Sequence, residues 1–111
     1  MALPLNAFKT TTFDVTTVDT IVYTTPAGIT SVVLLAQVSN IDPINTIEVS
    51  ANYLRGSNVT SIIKNTPIPI KDSVSLLSGK LILQAGDSFT IKGNSNNTGQ
   101  LILSYLETAN A

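Results

Sequence analysis

The sequence predicts an all-β fold, a single antiparallel β-sandwich of jelly-roll or immunoglobulin-like type with about eight to nine short strands. Three observations predict it. Twelve isoleucines, nine valines and fifteen threonines make 36 of the 111 residues β-branched, a bias that suits a pleated, half-buried surface and suits helices poorly. Thr46-Ile47-Glu48-Val49-Ser50-Ala51-Asn52-Tyr53 alternates polar and apolar residues without a break, the period of a strand with one wet face. Turn chemistry then cuts the chain at short, regular intervals, and no window of eleven residues carries a helical apolar stripe. At 111 residues and 11.7 kDa the chain is one domain, large enough to bury a core without staples.

Strands are expected near residues 11–16, 20–25, 30–39, 46–54, 59–64, 74–77, 80–84, 87–93 and 100–107. Pro26-Ala27-Gly28, Asp42-Pro43-Ile44-Asn45, Arg55-Gly56-Ser57-Asn58 and Ala85-Gly86-Asp87 separate them. The polar run from Gly93 to Gly99, rich in asparagine, reads as the loop of a wide hairpin. Within 46–53, Ile47, Val49, Ala51 and Tyr53 should face the core. Thr66-Pro67-Ile68-Pro69-Ile70 places prolines two apart, so two amides on one side cannot donate, and the segment belongs at a sheet edge or in a connection. Residues 1–9 form an apolar N-terminal arm with Leu3, Leu5 and Phe8 outside the strand pattern, and residues 10–111 form the sandwich. Such an arm needs a surface to lie on, either its own domain or a neighbouring subunit.

Composition excludes several kinds of function. Six basic against seven acidic residues give a net charge of −1, without the positive footprint of a nucleic-acid or anionic-membrane binder. No cysteine is present, so no disulfide, thiol nucleophile or thiolate metal site can form. No histidine is present either, which removes the commonest general base and metal ligand. The longest apolar run, Val32 to Ala36, is five residues, far below the ~20 of a bilayer-spanning helix. Met1-Ala2-Leu3-Pro4 lacks the basic and apolar regions of a secretory signal, so synthesis in a cytoplasm without export by that route is expected. The acidic residues sit mostly at strand ends and turns, where aspartate bonds nearby backbone. A loop calcium site from Asp87 with Asn94, Asn96 or Asn97 is the one metal arrangement the spacing offers. The glycines form no phosphate-binding motif, and no serine sits in a nucleophile elbow. Beyond that loop arrangement the sequence points to no metal ligands, and it points to no catalytic or cofactor-binding residues and no cofactor.

Three strands are apolar on both faces, where a two-layer sandwich should leave one polar. Strict alternation puts Val32, Leu34, Ala36 and Val38 on one face and Val33 and Leu35 on the other. Leu81 and Leu83 oppose Ile82, and Leu101, Leu103 and Tyr105 oppose Ile102 and Leu106. Val33, Leu35, Ile82, Ile102 and Leu106 are thus left on a second face. Clustered there, they would exceed the apolar patch a soluble monomer usually tolerates. Together with Leu3, Leu5 and Phe8 they form the candidate protein interface, and a homo-oligomer is expected.

Tyr23-Thr24-Thr25-Pro26-Ala27-Gly28, the strand from Val32 to Asn40, Ile68-Pro69-Ile70 and the run from Ser78 to Ser88 (S-G-K-L-I-L-Q-A-G-D-S) together resemble small β-rich virion proteins of tailed phages, in particular phages of marine cyanobacteria. The resemblance covers about 90 of the 111 residues and rests mostly on turn residues. It implies a non-enzymatic accessory virion protein, foremost a capsid decoration or cement subunit, located in the virion and partnered by other virion proteins, with no nucleic acid and no membrane. The alternatives are a neck, tail or fibre-attached subunit, and a glycan-binding β-module with tyrosines exposed in a groove. Alternation places Tyr53 and Tyr105 inward, against the last of these.

Overall fold

The computed structural model describes residues 6–110. Nine strands run in chain order as β1 (Asn6–Asp14), β2 (Thr20–Thr24), β3 (Ile29–Asn40), β4 (Ile47–Arg55), β5 (Asn58–Ile68), β6 (Ser73–Ser75), β7 (Leu81–Leu83), β8 (Ser88–Gly93) and β9 (Gly99–Ala109). A five-stranded sheet has the order β1-β9-β3-β6, with β7 also paired to β3, and a four-stranded sheet has the order β2-β8-β4-β5. Every pairing is antiparallel: β1 with β9, β2 with β8, β3 with β6 and β7, β4 with β5, and the cross-pairs β3 with β9 and β4 with β8. The first strand thus pairs the last, the second the last but one, and so inward to the β4–β5 hairpin. A long hairpin folded over on itself in this way is a jelly roll, which decides between the two expected sandwich types.

The inward faces alternate as the strand period requires. Ile47, Val49 and Ala51 from β4 meet Phe89 and Ile91 from β8 on one side; Val33, Ala36 and Val38 from β3 and Leu101, Leu103 and Tyr105 from β9 supply the other. All are buried, and Tyr53 packs partly buried against them. Pro67 sits at an edge: among the described residues β5 has β4 as its only neighbour, with Pro67 opposite Glu48, and Pro69 follows just past the end of the strand.

Three expectations are corrected. The segment around Gly93–Gly99 is no hairpin, because β8 and β9 belong to different sheets and the loop carries the chain across the sandwich. Its asparagines fasten it: Asn94 Oδ1 accepts the Glu48 N–H (3.0 Å), Asn96 Oδ1 accepts the Thr17 N–H (2.9 Å), and the Asn97 N–H donates to the Val15 carbonyl (3.0 Å). Gly93 and Gly99, at its ends, let this crossing lie close to the core, since a Cβ on Gly93 would stand 2.8 Å from Val15 Cγ1. Second, the strand period starts before residue 10. Asn6–Lys9 are the first residues of β1, with Phe8 opposite Leu106; Leu3 and Leu5 lie outside the described residues. Third, Val33 is fully buried and belongs to the core rather than to a second face. The β3–β9 register jumps between Val33 and Leu35, so Leu34 is an extra residue in the strand. Such a bulge reverses the facing of everything beyond it. Ser31 and Val33 point inward before it, Ala36 and Val38 after it.

Candidate protein interface

Cross-strand partners share a face, so the outward surface of the five-stranded sheet can be read row by row. One row runs Phe8 (β1), Leu106 (β9), Val32 (β3), Ile82 (β7), each directly opposite the next. Four adjacent strands at about 4.8 Å spacing give an apolar stripe about 14 Å across. The next row is Thr10, Ser104 and Leu35, with the bulged Leu34 beside it. Then follow Thr12, Ile102, Gln37 and Ser75, and finally Asp14, Gln100, Ser39 and Ser73. The face grades from apolar near Phe8 to polar near Asp14. Phe8 is 76% exposed, Ile82 49%, Ile102 42%, Leu34 41% and Leu35 37%, while Val32 and Leu106 are half-buried.

Of the interface residues expected from the sequence, Phe8, Leu35, Ile82, Ile102 and Leu106 are thus on this one face. Val33 is not. Val32 and Leu34 join it instead, and the bulge that exchanges them leaves no mark in hydrophobic periodicity.

Charge is kept off the apolar end of this face by the fold. Lys9 and Glu107, from β1 and β9, stand on the inner side, where Lys9 Nζ lies 2.8 Å from Glu107 Oε1. The Tyr23 hydroxyl from the opposite sheet donates to Glu107 Oε2 at 2.5 Å and lies 2.6 Å from Ser31 Oγ. Its ring stacks obliquely on Tyr105, with centroids 4.2 Å apart. Burial first, then the carboxylate beside it, pushes the Tyr23 hydroxyl up to about 12. The Lys9 ammonium, then the Tyr23 hydroxyl, hold Glu107 below the usual carboxylate range. This cluster clips β1 and β9 to the other sheet.

A second buried carboxylate does the same for the β7–β8 turn. Asp87 accepts from Arg55 Nε (2.9 Å) and Nη2 (2.8 Å), from the Gln84 N–H (2.9 Å) and from the Tyr53 hydroxyl. The two-pronged guanidinium contact is the strong form of such a pair, and it holds Asp87 far below its ordinary value. Asp87 is therefore no partner for Asn94, Asn96 or Asn97, which lie at the other end of β8, about 20 Å along the strand. Neither ionic pair is adjacent in sequence: Arg55 meets Asp87 32 residues away, and only topology brings them together.

No protein-family model matches the chain, and no curated protein matches it in sequence. Among solved structures, the chain is similar to a protein in the acid-stable capsid of a Helicobacter pylori bacteriophage, with a TM-score of 0.61 and 13% identity over 97% of this chain and 90% of that one. It is similar to a Bacillus endospore appendage protein, from a family of disulfide-linked pili, with a TM-score of 0.54 and 12% identity over 96% and 88% of the two chains. A chain of the IBDV viral particle gives a TM-score of 0.51 and 10% identity, over 96% of this chain and 32% of the other. At such identities the likeness is one of fold: the jelly roll of this chain is also that of a phage capsid protein, over nearly the full length of both.

Proposed function

We propose that the protein is a non-enzymatic structural subunit of a phage particle, foremost a capsid decoration or cement subunit, and that it docks through the outer face of its five-stranded sheet. The observation that carries this reading is the continuous Phe8–Leu106–Val32–Ile82 row. A jelly roll is complete with its two inner faces buried, so folding alone does not call for this row. The partner is another virion protein or further copies of this chain. Phe8, Val32, Leu34, Ile82 and Leu106 would form the apolar centre of the contact, and Thr10, Thr12, Ser104 and Gln37 its polar rim. Standard interfaces cover about 800 Å2 on each partner, so flanking strands and loops would complete it.

The shared fold with a phage capsid protein supports the virion assignment. The resemblance in fold to disulfide-linked pili does not extend to their linkage, because this chain has no cysteine. No tyrosine lies in an exposed groove, which disfavours a glycan module built on stacking: Tyr105 is buried, and Tyr23 and Tyr53 are tied to buried carboxylates.

Quantitative mass spectrometry of particles from the encoding phage, counted against the major capsid protein, tests this. A copy number on the scale of the head lattice is expected for a decoration subunit. A small count matching a ring or a vertex would move the chain to the neck, tail or fibre apparatus. Absence from the particle would overturn the virion reading.

A further inference from the structure

The opposite side of the molecule carries a cleft of about 540 Å3, on the outer face of the four-stranded sheet. Its concavity is built by the edge strand. The β4–β5 register shifts twice, between Val49 and Ala51 and between Ala51 and Asn52, and Asn65 takes a left-handed backbone conformation (φ 50°) that a residue other than glycine adopts seldom. The Asn65 N–H donates to Ser50 Oγ at 2.8 Å and pins this bend against β4. Asn52 and Ser61, opposite each other in the ladder, lie in the floor. Asp19, Glu48, Lys64 and Lys92 stand around it.

Among the described residues, the Asn52 amide and the Ser61 hydroxyl take part in none of the side-chain hydrogen bonds, and Lys64 and Lys92 in neither ion pair. The cleft thus offers donors and acceptors together on a rigid sheet. Its two carboxylates and two ammoniums cancel, so it does not suit a polyanion or a polycation. Val59 is its one large apolar residue, so it does not suit a lipid or an aromatic ligand, whose sites are mostly apolar.

We infer that this cleft is a binding site for a neutral saccharide, whose hydroxyls each donate and accept and so match amide, hydroxyl, carboxylate and ammonium groups arrayed without net charge. This inference does not depend on the docking role of the other face. Without an aromatic ring to stack on, affinity should be weak. The test is amide-shift mapping of the 15N-labelled chain with maltotriose and with triacetylchitotriose, each to about 10 mM, and with dextran sulfate as a polyanion. At least one trisaccharide should shift amides in Ser50–Asn52 and Ser61–Asn65 with a millimolar Kd. The double variant Asn52→Ala/Ser61→Ala should weaken it about tenfold, its other amides staying in place to show that it is folded. Phe8→Ser, on the far face, should leave the titration unchanged. The site is refuted if neither trisaccharide moves these amides, if the double variant binds equally well, or if dextran sulfate alone binds there.

Discussion

Across the five-stranded sheet an outward row reads Phe8, Leu106, Val32, Ile82; across the four-stranded sheet the row reads Ile21, Thr90, Asn52, Ser61. Both rows are set by the same pleat, and both sheets back onto one apolar core. On the four-stranded sheet the large exposed apolar residues, Ile21 and Val59, sit on opposite edge strands, Ile21 opposite Thr90 and Val59 opposite the half-buried Leu54. They form no row across the sheet, and scattered residues of this kind are ordinary on soluble proteins. On the five-stranded sheet they adjoin from strand to strand. Ions follow the same division. Lys92, Glu48 and Lys64 are exposed around the polar cleft, while Lys9 and Glu107 are drawn to the inner side and paired. The comparison teaches that one sheet turns polar side chains outward while the other turns a continuous apolar row outward, the feature on which the proposed docking role rests.

The largest effect should come from breaking the facing itself. Val33→Asp and Ile82→Asp alter residues in the same part of the sheet, one fully buried and one about half exposed. An unpaired carboxylate in the core should cost about 4 kcal/mol or more and prevent folding or collapse the urea midpoint. Ile82→Asp should leave stability within about 0.5 kcal/mol and instead reduce association, read by sedimentation. Equal stability losses in the two variants would break the comparison. Deleting Leu34 comes next. Without the extra residue, either Ser31 and Val33 or Ala36 and Val38 must turn outward, for an expected loss of about 3 kcal/mol in urea unfolding, on the scale of one large core truncation.

Acid sharpens the contrast between the two ionic clips. Glu107 and Asp87 are both held below their ordinary values of 4.5 and 3.8. Each therefore contributes stability that is fully present above its unfolded value and is lost as pH falls through its lower folded value. The melting temperature should be level near neutrality and decline below about pH 4. Glu107→Gln should lower it at pH 7, reduce the acid decline, and speed amide exchange in β1, the strand that carries Phe8 into the apolar row. Asp87→Asn should speed exchange around the β7–β8 turn and leave β1 protected. The smallest effect is expected on the four-stranded sheet, where Val59→Ser should change neither stability beyond about 0.5 kcal/mol nor association.

Much of this was legible in the sequence because local patterns carry it. The alternation from Ile47 to Tyr53 shows the facing of β4, and the proline spacing at Pro67 and Pro69 puts residues 66–70 at an edge or in a connection, where the end of β5 and the turn after it lie. The excess of apolar residues on β7 and β9 singled out Ile82, Ile102 and Leu106. What was hidden was nonlocal or masked by redundancy. The run from Val32 to Ala36 is apolar at every position, so an inserted residue at Leu34 changes the facing without changing the pattern, and strict alternation puts Val33 outward. Phe8 lies in the apolar row only because β1 pairs β9, nearly a hundred residues away in the chain. The Arg55–Asp87 and Lys9–Glu107 pairs are likewise products of topology. The polar loop looked like a hairpin because loop length does not reveal that its two strands lie in different sheets.

Hydroxyl-radical footprinting of the chain, free and in the assembled particle, tests the central claim most directly. The account predicts that Phe8, Leu34, Ile82 and Ile102 lose reactivity in the particle while Ile21 and Val59 keep theirs. Protection of Ile21 and Val59, with the Phe8 row still reactive, would contradict it.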